Sequence, residues 1–173
     1  MKISYNWLKE ILDFEIDANQ TSALLTDIGL EVERVEVYEN IKGALQGLVV
    51  GEIKSVERHP NADRLNITQV DLAEDKNYTI VCGAPNVEKG QKVIVAKPGT
   101  RIFPKNKDSF EIKNAKIRGQ ESFGMICGED EIGLGDKHDG ILVLNSDAEI
   151  GDSAANYFDI VSDTIFEIGL TPN

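Results

Sequence analysis

Leu65-Asn66-Ile67-Thr68-Gln69-Val70-Asp71-Leu72, followed by Tyr78-Thr79-Ile80-Val81-Cys82, is the stretch on which the fold turns. Apolar side chains alternate at Leu65 and Ile67, then resume at Val70 and Leu72, one residue out of phase. Alternation marks a strand with one buried face. A one-residue slip is what a bulge leaves where a strand bends around a small barrel. Working outward, similar short runs occur at Leu48–Val56, Lys92–Ala96, Phe110–Arg118, Ser122–Ile126 and Ile141–Leu144. Between them lie turn-forming clusters: His59-Pro60-Asn61-Ala62-Asp63, Gly83-Ala84-Pro85-Asn86, Lys97-Pro98-Gly99 and Gly133-Leu134-Gly135. Roughly a hundred residues of this texture predict a closed antiparallel barrel.

The two ends read differently. Ser4 is placed to cap a helix over residues 4–12, with Trp7, Leu8, Ile11 and Leu12 at three-to-four spacing. Asp17-Ala18-Asn19-Gln20 has the form of a capping box, Leu24, Leu25 and Ile28 follow as a stripe, and Gly29 stands where a helix stops. Glu31–Tyr38 and Thr164–Leu170 read as strands. Neither end has enough apolar residues to fold alone. The expected organisation is therefore α+β: a barrel over residues 40–150, inserted into a small flanking unit made of residues 1–39 and 151–173.

The chain of 173 residues carries 18 basic and 30 acidic side chains, a net charge of −12. The acidity is concentrated at the ends. Within 85–118, Lys89, Lys92, Lys97, Arg101, Lys105, Lys107, Lys113, Lys116 and Arg118 outnumber Glu88, Asp108 and Glu111. A whole chain of this charge repels polyanions, but a local basic segment fits a polyanion contact or an ordinary solvated face. The longest uncharged run, Asn77–Val87, is far short of the ~20 apolar residues of a membrane span. The first ten residues hold no apolar signal core. The expectation is a cytoplasmic protein with no membrane partner.

Catalytic patterns are missing from the sequence: no phosphate-binding Gly-x-x-x-x-Gly-Lys-Ser/Thr, no Gly-x-Ser-x-Gly and no His-Glu-x-x-His. Cys82 and Cys127 form no close pair, though with His59 and His138 they would make one mixed metal site if the fold joined them. The acidic run Glu129-Asp130-Glu131, near Asp136 and Asp139, lacks the oxygen-ligand spacing of a calcium loop. Binding is the better reading. Phe103 among Arg101, Lys105 and Lys107, and Phe123–Met125 beside Arg118, combine flat or soft side chains with cations, as single-stranded nucleic acid requires. Core packing is the competing reading for both phenylalanines.

Blocks of the central segment resemble the OB-fold tRNA-binding domain: His59-Pro60-Asn61-Ala62-Asp63-Arg64-Leu65, Ile80–Val87, Gly90–Val93, Lys116–Gly119, Glu121–Cys127 and Gly140–Leu144. The flanking blocks Met1–Leu8, Gly29–Glu33 and Glu167–Asn173 are similar to the bacterial phenylalanyl-tRNA synthetase β-chain family. The resemblance implies a five-stranded barrel. It also implies a non-catalytic N-terminal piece of a longer β chain, working with an α chain and a second β chain in an assembly of two α and two β chains. That holoenzyme joins phenylalanine to tRNA using ATP and magnesium; no cofactor or metal is expected in this piece. The family's Ser-x-Gly-Met element maps to Ser122, Gly124 and Met125; Ser122 and Met125 from that element, with Lys97, Arg101, Lys105, Lys107, Lys116 and Arg118 on the ground of their charge, are the expected RNA contacts. A purely structural role in assembly is the alternative.

Overall fold

A computed structural model describes residues 1–169. In chain order the elements are β1 (Lys2–Ser4), α1 (Tyr5–Ile11), α2 (Ala18–Asp27), β2 (Val32–Glu39), β3 (Leu48–Arg58), β4 (Asn66–Asp71), β5 (Tyr78–Cys82), β6 (Lys92–Ala96), β7 (Arg101–Ile102), β8 (Phe110–Glu111), β9 (Ala115–Ile117), β10 (Gln120–Ser122), β11 (Met125–Ile126), α3 (Ala154–Tyr157) and β12 (Ser162–Ile168). They divide into two compact units, residues 1–40 with the stretch from Val161 onward, and Ile41–Ile160.

In the first unit both helix starts form as their sequences dictate. Ser4 Oγ accepts from the Trp7 amide, and Asp17 with Gln20 completes a reciprocal capping box. Gly29 takes a left-handed φ of 96°, the conformation that ends α2. Strands β1, β12 and β2 make an antiparallel sheet in that order. Its buried side chains are Phe166 and Ile168, with the Tyr5 ring edge-on to Phe166 at 6.2 Å. Most of the apolar stripe of α1 stays outside this core: Trp7 is 57% and Ile11 60% exposed, while Leu8 is half-buried. Residues 170–173, which carry the end of the expected strand and the Thr171-Pro172-Asn173 block, lie outside the described residues.

In the second unit, β11-β6-β3-β4-β5 form one antiparallel sheet. The Phe123 amide donates to the Thr79 carbonyl, which brings the chain before β11 against β5 and nearly closes the barrel. Numbered as barrel strands, the order is 1-2-3-5-4, the five-stranded OB arrangement. Ile53, Val70, Ile80, Val93 and Val95 fill one core cluster, and Val50, Ile94, Ile102, Cys127 and Ile132 another.

Five sequence expectations need correction. The phase slip in β4 is not a bulge: Thr68, Val70 and Leu72 all face inward, and the Thr68 hydroxyl is buried because it donates to the Ile80 carbonyl at 2.8 Å. The register shift lies instead in β3, between Ile53 and Ser55. The runs 110–118 and Ser122–Ile126 are each broken in two: β8 turns back on β7 while β9 pairs with β10, and Ser122 ends β10 whereas Met125–Ile126 pair with β6 as β11. Ile141–Leu144 is not a strand and contributes one bridge, Val93 to Val143. Residues 151–160 belong to the barrel unit, not the flank. There Val50 exchanges hydrogen bonds with Gly151 and Asp152, and Ala154 of α3 is fully buried.

Candidate nucleic-acid interface

OB barrels bind oligonucleotides on the face of their second and third strands, between the loop joining strands one and two and the loop joining strands four and five. Here those are β4 and β5, residues 59–65 and residues 97–124. The two loops are tied together. His59 is buried; its Nδ1 accepts from the Asn61 amide at 3.1 Å and its Nε2 meets the Ile117 carbonyl at 3.0 Å. These bonds assign the neutral tautomer with the proton on Nε2. Asn61 Nδ2 donates to the Arg118 carbonyl at 3.3 Å. The β9–β10 hairpin turns at Arg118 and Gly119, with φ of 50° and 97°, the doubly left-handed pair of a tight hairpin. The His-Pro-Asn block thus clamps a hairpin whose tip carries Lys116 and Arg118, both exposed.

That clamp also brings in Arg58 and Arg64, exposed cations flanking the first loop, which a linear charge window over 85–118 does not see. Glu57, Asp63 and Glu121 share the neighbourhood, and Glu121 sits opposite Lys116 in the hairpin register. Among the described residues, Arg58, Arg64, Lys107, Lys113, Lys116 and Arg118 make no ion pair.

The remaining expected contacts are dispersed. Lys97 pairs with Glu74 at 2.9 Å, and the same carboxylate accepts from the Tyr78 hydroxyl at 2.8 Å. The Lys97 bond holds the Glu74 carboxyl below the usual range, and Glu74 in return raises both Lys97 and Tyr78. Arg101 donates to Ser109 Oγ at 3.3 Å across the β7–β8 hairpin. Lys105 pairs with Asp136 at 2.7 Å. Lys107 lies exposed in the turn of that hairpin.

Two expected contacts have structural posts. Ser122 is 2% exposed, and its hydroxyl accepts from the Val81 amide at 3.1 Å and donates to the Gly124 carbonyl at 3.3 Å. Its hydroxyl is thus engaged as donor and as acceptor inside the barrel seam. Met125 is half-buried, pairs with Ala96 and packs on the core. Gly124 has a φ of 134°, and a Cβ there would stand 2.8 Å from the Ala96 carbonyl. The Ser-x-Gly-Met element is therefore the closing seam of the barrel.

Phe103 is likewise a packing residue. Its ring lies against Gly43 and has the Lys42 ammonium 5.6 Å from its centroid. Phe123 differs: it is 37% exposed and lines an open cleft of about 1080 Å³ with Lys76, Tyr78, Lys97 and Asn114.

Cys82 and Cys127 lie in separate core clusters, which dissolves the mixed metal site. The acidic run is engaged locally, Asp130 with His138 and Glu131 with the Gly128 amide. Among the described residues no group of three or more His, Cys, Asp or Glu is arranged to hold a metal ion, and no helix is long and apolar enough to cross a membrane.

Residues 48–153 match the family described as "Putative tRNA binding domain". Over all 173 residues the chain is 52% identical to the phenylalanine–tRNA ligase beta subunit of Bacteroides thetaiotaomicron. It is 50% identical to that of Porphyromonas gingivalis and 46% identical to that of Francisella tularensis. In each case it covers 100% of this chain and spans 21% of the relative.

Proposed function

Since the chain belongs to the tRNA-binding-domain family, we propose that it is a tRNA-contacting module of a phenylalanine–tRNA ligase β subunit. The observation that carries this reading is the clamp between the two loops, which gathers Arg58, Arg64, Lys116 and Arg118 beside the second and third barrel strands. Cations placed this way neutralise phosphates and orient the RNA without reading its sequence. Lys107 and Arg101 extend the contact along the β7–β8 hairpin. Lys97 and Lys105 must first leave Glu74 and Asp136, which makes them weaker contributors.

The parent enzyme joins phenylalanine to tRNA at the expense of ATP with magnesium, in the cytoplasm, as two α and two β chains. The chain's own residues bind and orient tRNA; the nucleotide and metal ion belong to other parts of that assembly. The test is tRNA binding by the intact protein between about 50 and 200 mM salt. Reversal of Lys107, Lys116 and Arg118 to Glu removes three phosphate contacts, so the salt dependence flattens by about 2–3 in log–log slope. An unchanged slope would remove these residues from the interface.

A structural role has its own supporting observation. Trp7 and Ile11 on α1, and Leu24 and Ile28 on α2, are each more than half exposed in a unit whose described core is small. A partner surface covering them would make this unit an assembly element. Trp7→Asp with Ile11→Asp would then break subunit assembly and leave tRNA affinity intact.

A further inference from the structure

The cleft beside Phe123 is poorly suited to phosphate. Two carboxylates, Glu74 and Asp75, face two ammonium groups, Lys76 and Lys97, so it offers a polyanion no net attraction. Glu74 is already satisfied by Lys97 and Tyr78. What remains are an exposed aromatic ring and the side-chain amides of Asn77 and Asn114, a set that suits a flat, uncharged, hydrogen-bonding group. Phe123 is 37% exposed and stands outside both core clusters, so part of its ring is open to a ligand.

The backbone carrying that ring is nonetheless fixed. The Phe123 amide bonds to the Thr79 carbonyl, Ser122 before it is buried, and Gly124 after it is pressed against the Ala96 carbonyl. With that backbone already ordered, stacking on the ring costs only side-chain freedom. Lys113, the chain neighbour of Asn114, is exposed and without an ion pair among the described residues, a cation available to a phosphate next to a base in the cleft.

We propose that this cleft is a subsite for a single unpaired RNA base, stacked on Phe123 with its edge toward Asn77 and Asn114. The subsite rests on the tRNA-contact reading and narrows it: the module prefers a looped or extruded nucleotide over a continuous duplex.

The experiment measures binding of the intact protein to two probes, a short single-stranded RNA with a central 2-aminopurine and the same sequence as a duplex. Phe123→Ala is expected to weaken the single strand about tenfold, the loss of one base–aromatic stack, and to leave duplex affinity within twofold. Phe123→Leu, which keeps apolar volume without a stacking face, is expected to lose the same amount, and Phe123→Tyr to retain wild-type binding. Quenching of the 2-aminopurine on binding should vanish in both losing variants. The double variant Lys116→Glu/Arg118→Glu is expected to weaken both probes. If both probes bind and the charge variant weakens them while Phe123→Ala and Phe123→Leu match wild type, the subsite is wrong and the wider interface stands. If wild type binds neither probe at low salt, the tRNA-contact reading fails and the subsite with it.

Discussion

Replacing Ser122 by alanine removes a hydroxyl that accepts from the Val81 amide at 3.1 Å and donates to the Gly124 carbonyl at 3.3 Å. The first bond joins β5 to the end of β10, so its loss opens the barrel seam. An amide left without a partner in a buried setting costs about 1–3 kcal/mol. Val81 is half-buried, so water recovers part of this, and the longer bond to Gly124 adds little. A net loss of about 1–2 kcal/mol follows, which for a chain of this length lowers Tm by roughly 2–8 °C. Thermal and urea denaturation of Ser122→Ala measure it, with tRNA affinity compared at a temperature where both proteins are folded. The expected outcome is lower stability with affinity within twofold of wild type. Unchanged stability with collapsed tRNA affinity would make Ser122 an RNA contact and refute the seam assignment.

Other perturbations give independent checks. Gly124→Ala forces a Cβ to within 2.8 Å of the Ala96 carbonyl at a φ of 134°, and is expected to cost about 2–4 kcal/mol by denaturation; a neutral result would mean that the seam is not tightly closed. Lys97→Glu breaks the pair with Glu74 and sets two carboxylates side by side, a loss of up to about 1 kcal/mol at this largely solvated site. Lys107→Glu, which has no pair to break, should stay within about 0.5 kcal/mol of wild type in the same assay. Burial raises the thiols of Cys82 and Cys127, the latter more strongly. Their contribution to stability is complete below the unfolded thiol's value of about 8.5 and is lost as pH rises from there toward the folded values. A disulfide reagent at pH 8 should therefore modify both slowly until urea is added; fast modification of the native protein would contradict their burial.

Much of this was legible in the chain because it is local. Ser4, Asp17 with Gln20, and Gly29 mark helix ends through bonds that reach only a few residues, and the structure makes each of them. The limits of β5 and β6 follow from short β-branched runs between turn residues. The alternation slip that points to the barrel has a cause other than a bulge in β4. Thr68 looks polar in sequence yet is buried because Ile80, twelve residues away, supplies its acceptor. The site suffered most from such distant partners. Nothing near Lys97 or Lys105 announces Glu74 or Asp136, and nothing near Lys116 announces the loop of His59 that brings Arg58 and Arg64 beside it. Ser122 and Met125 stood in a recognisable element whose role, closing the barrel, is visible only once β5 and β6 lie alongside.

On the proposed reading, tRNA meets this chain on the clamped loops and the neighbouring strands. Amide hydrogen exchange of the intact protein, with and without tRNA at low salt, tests it most directly. Protection is expected to concentrate in residues 59–65 and 97–124 and in β4 and β5, and to be reversed by added salt. Protection confined to residues 1–40, or none in the barrel at saturating tRNA, would contradict it.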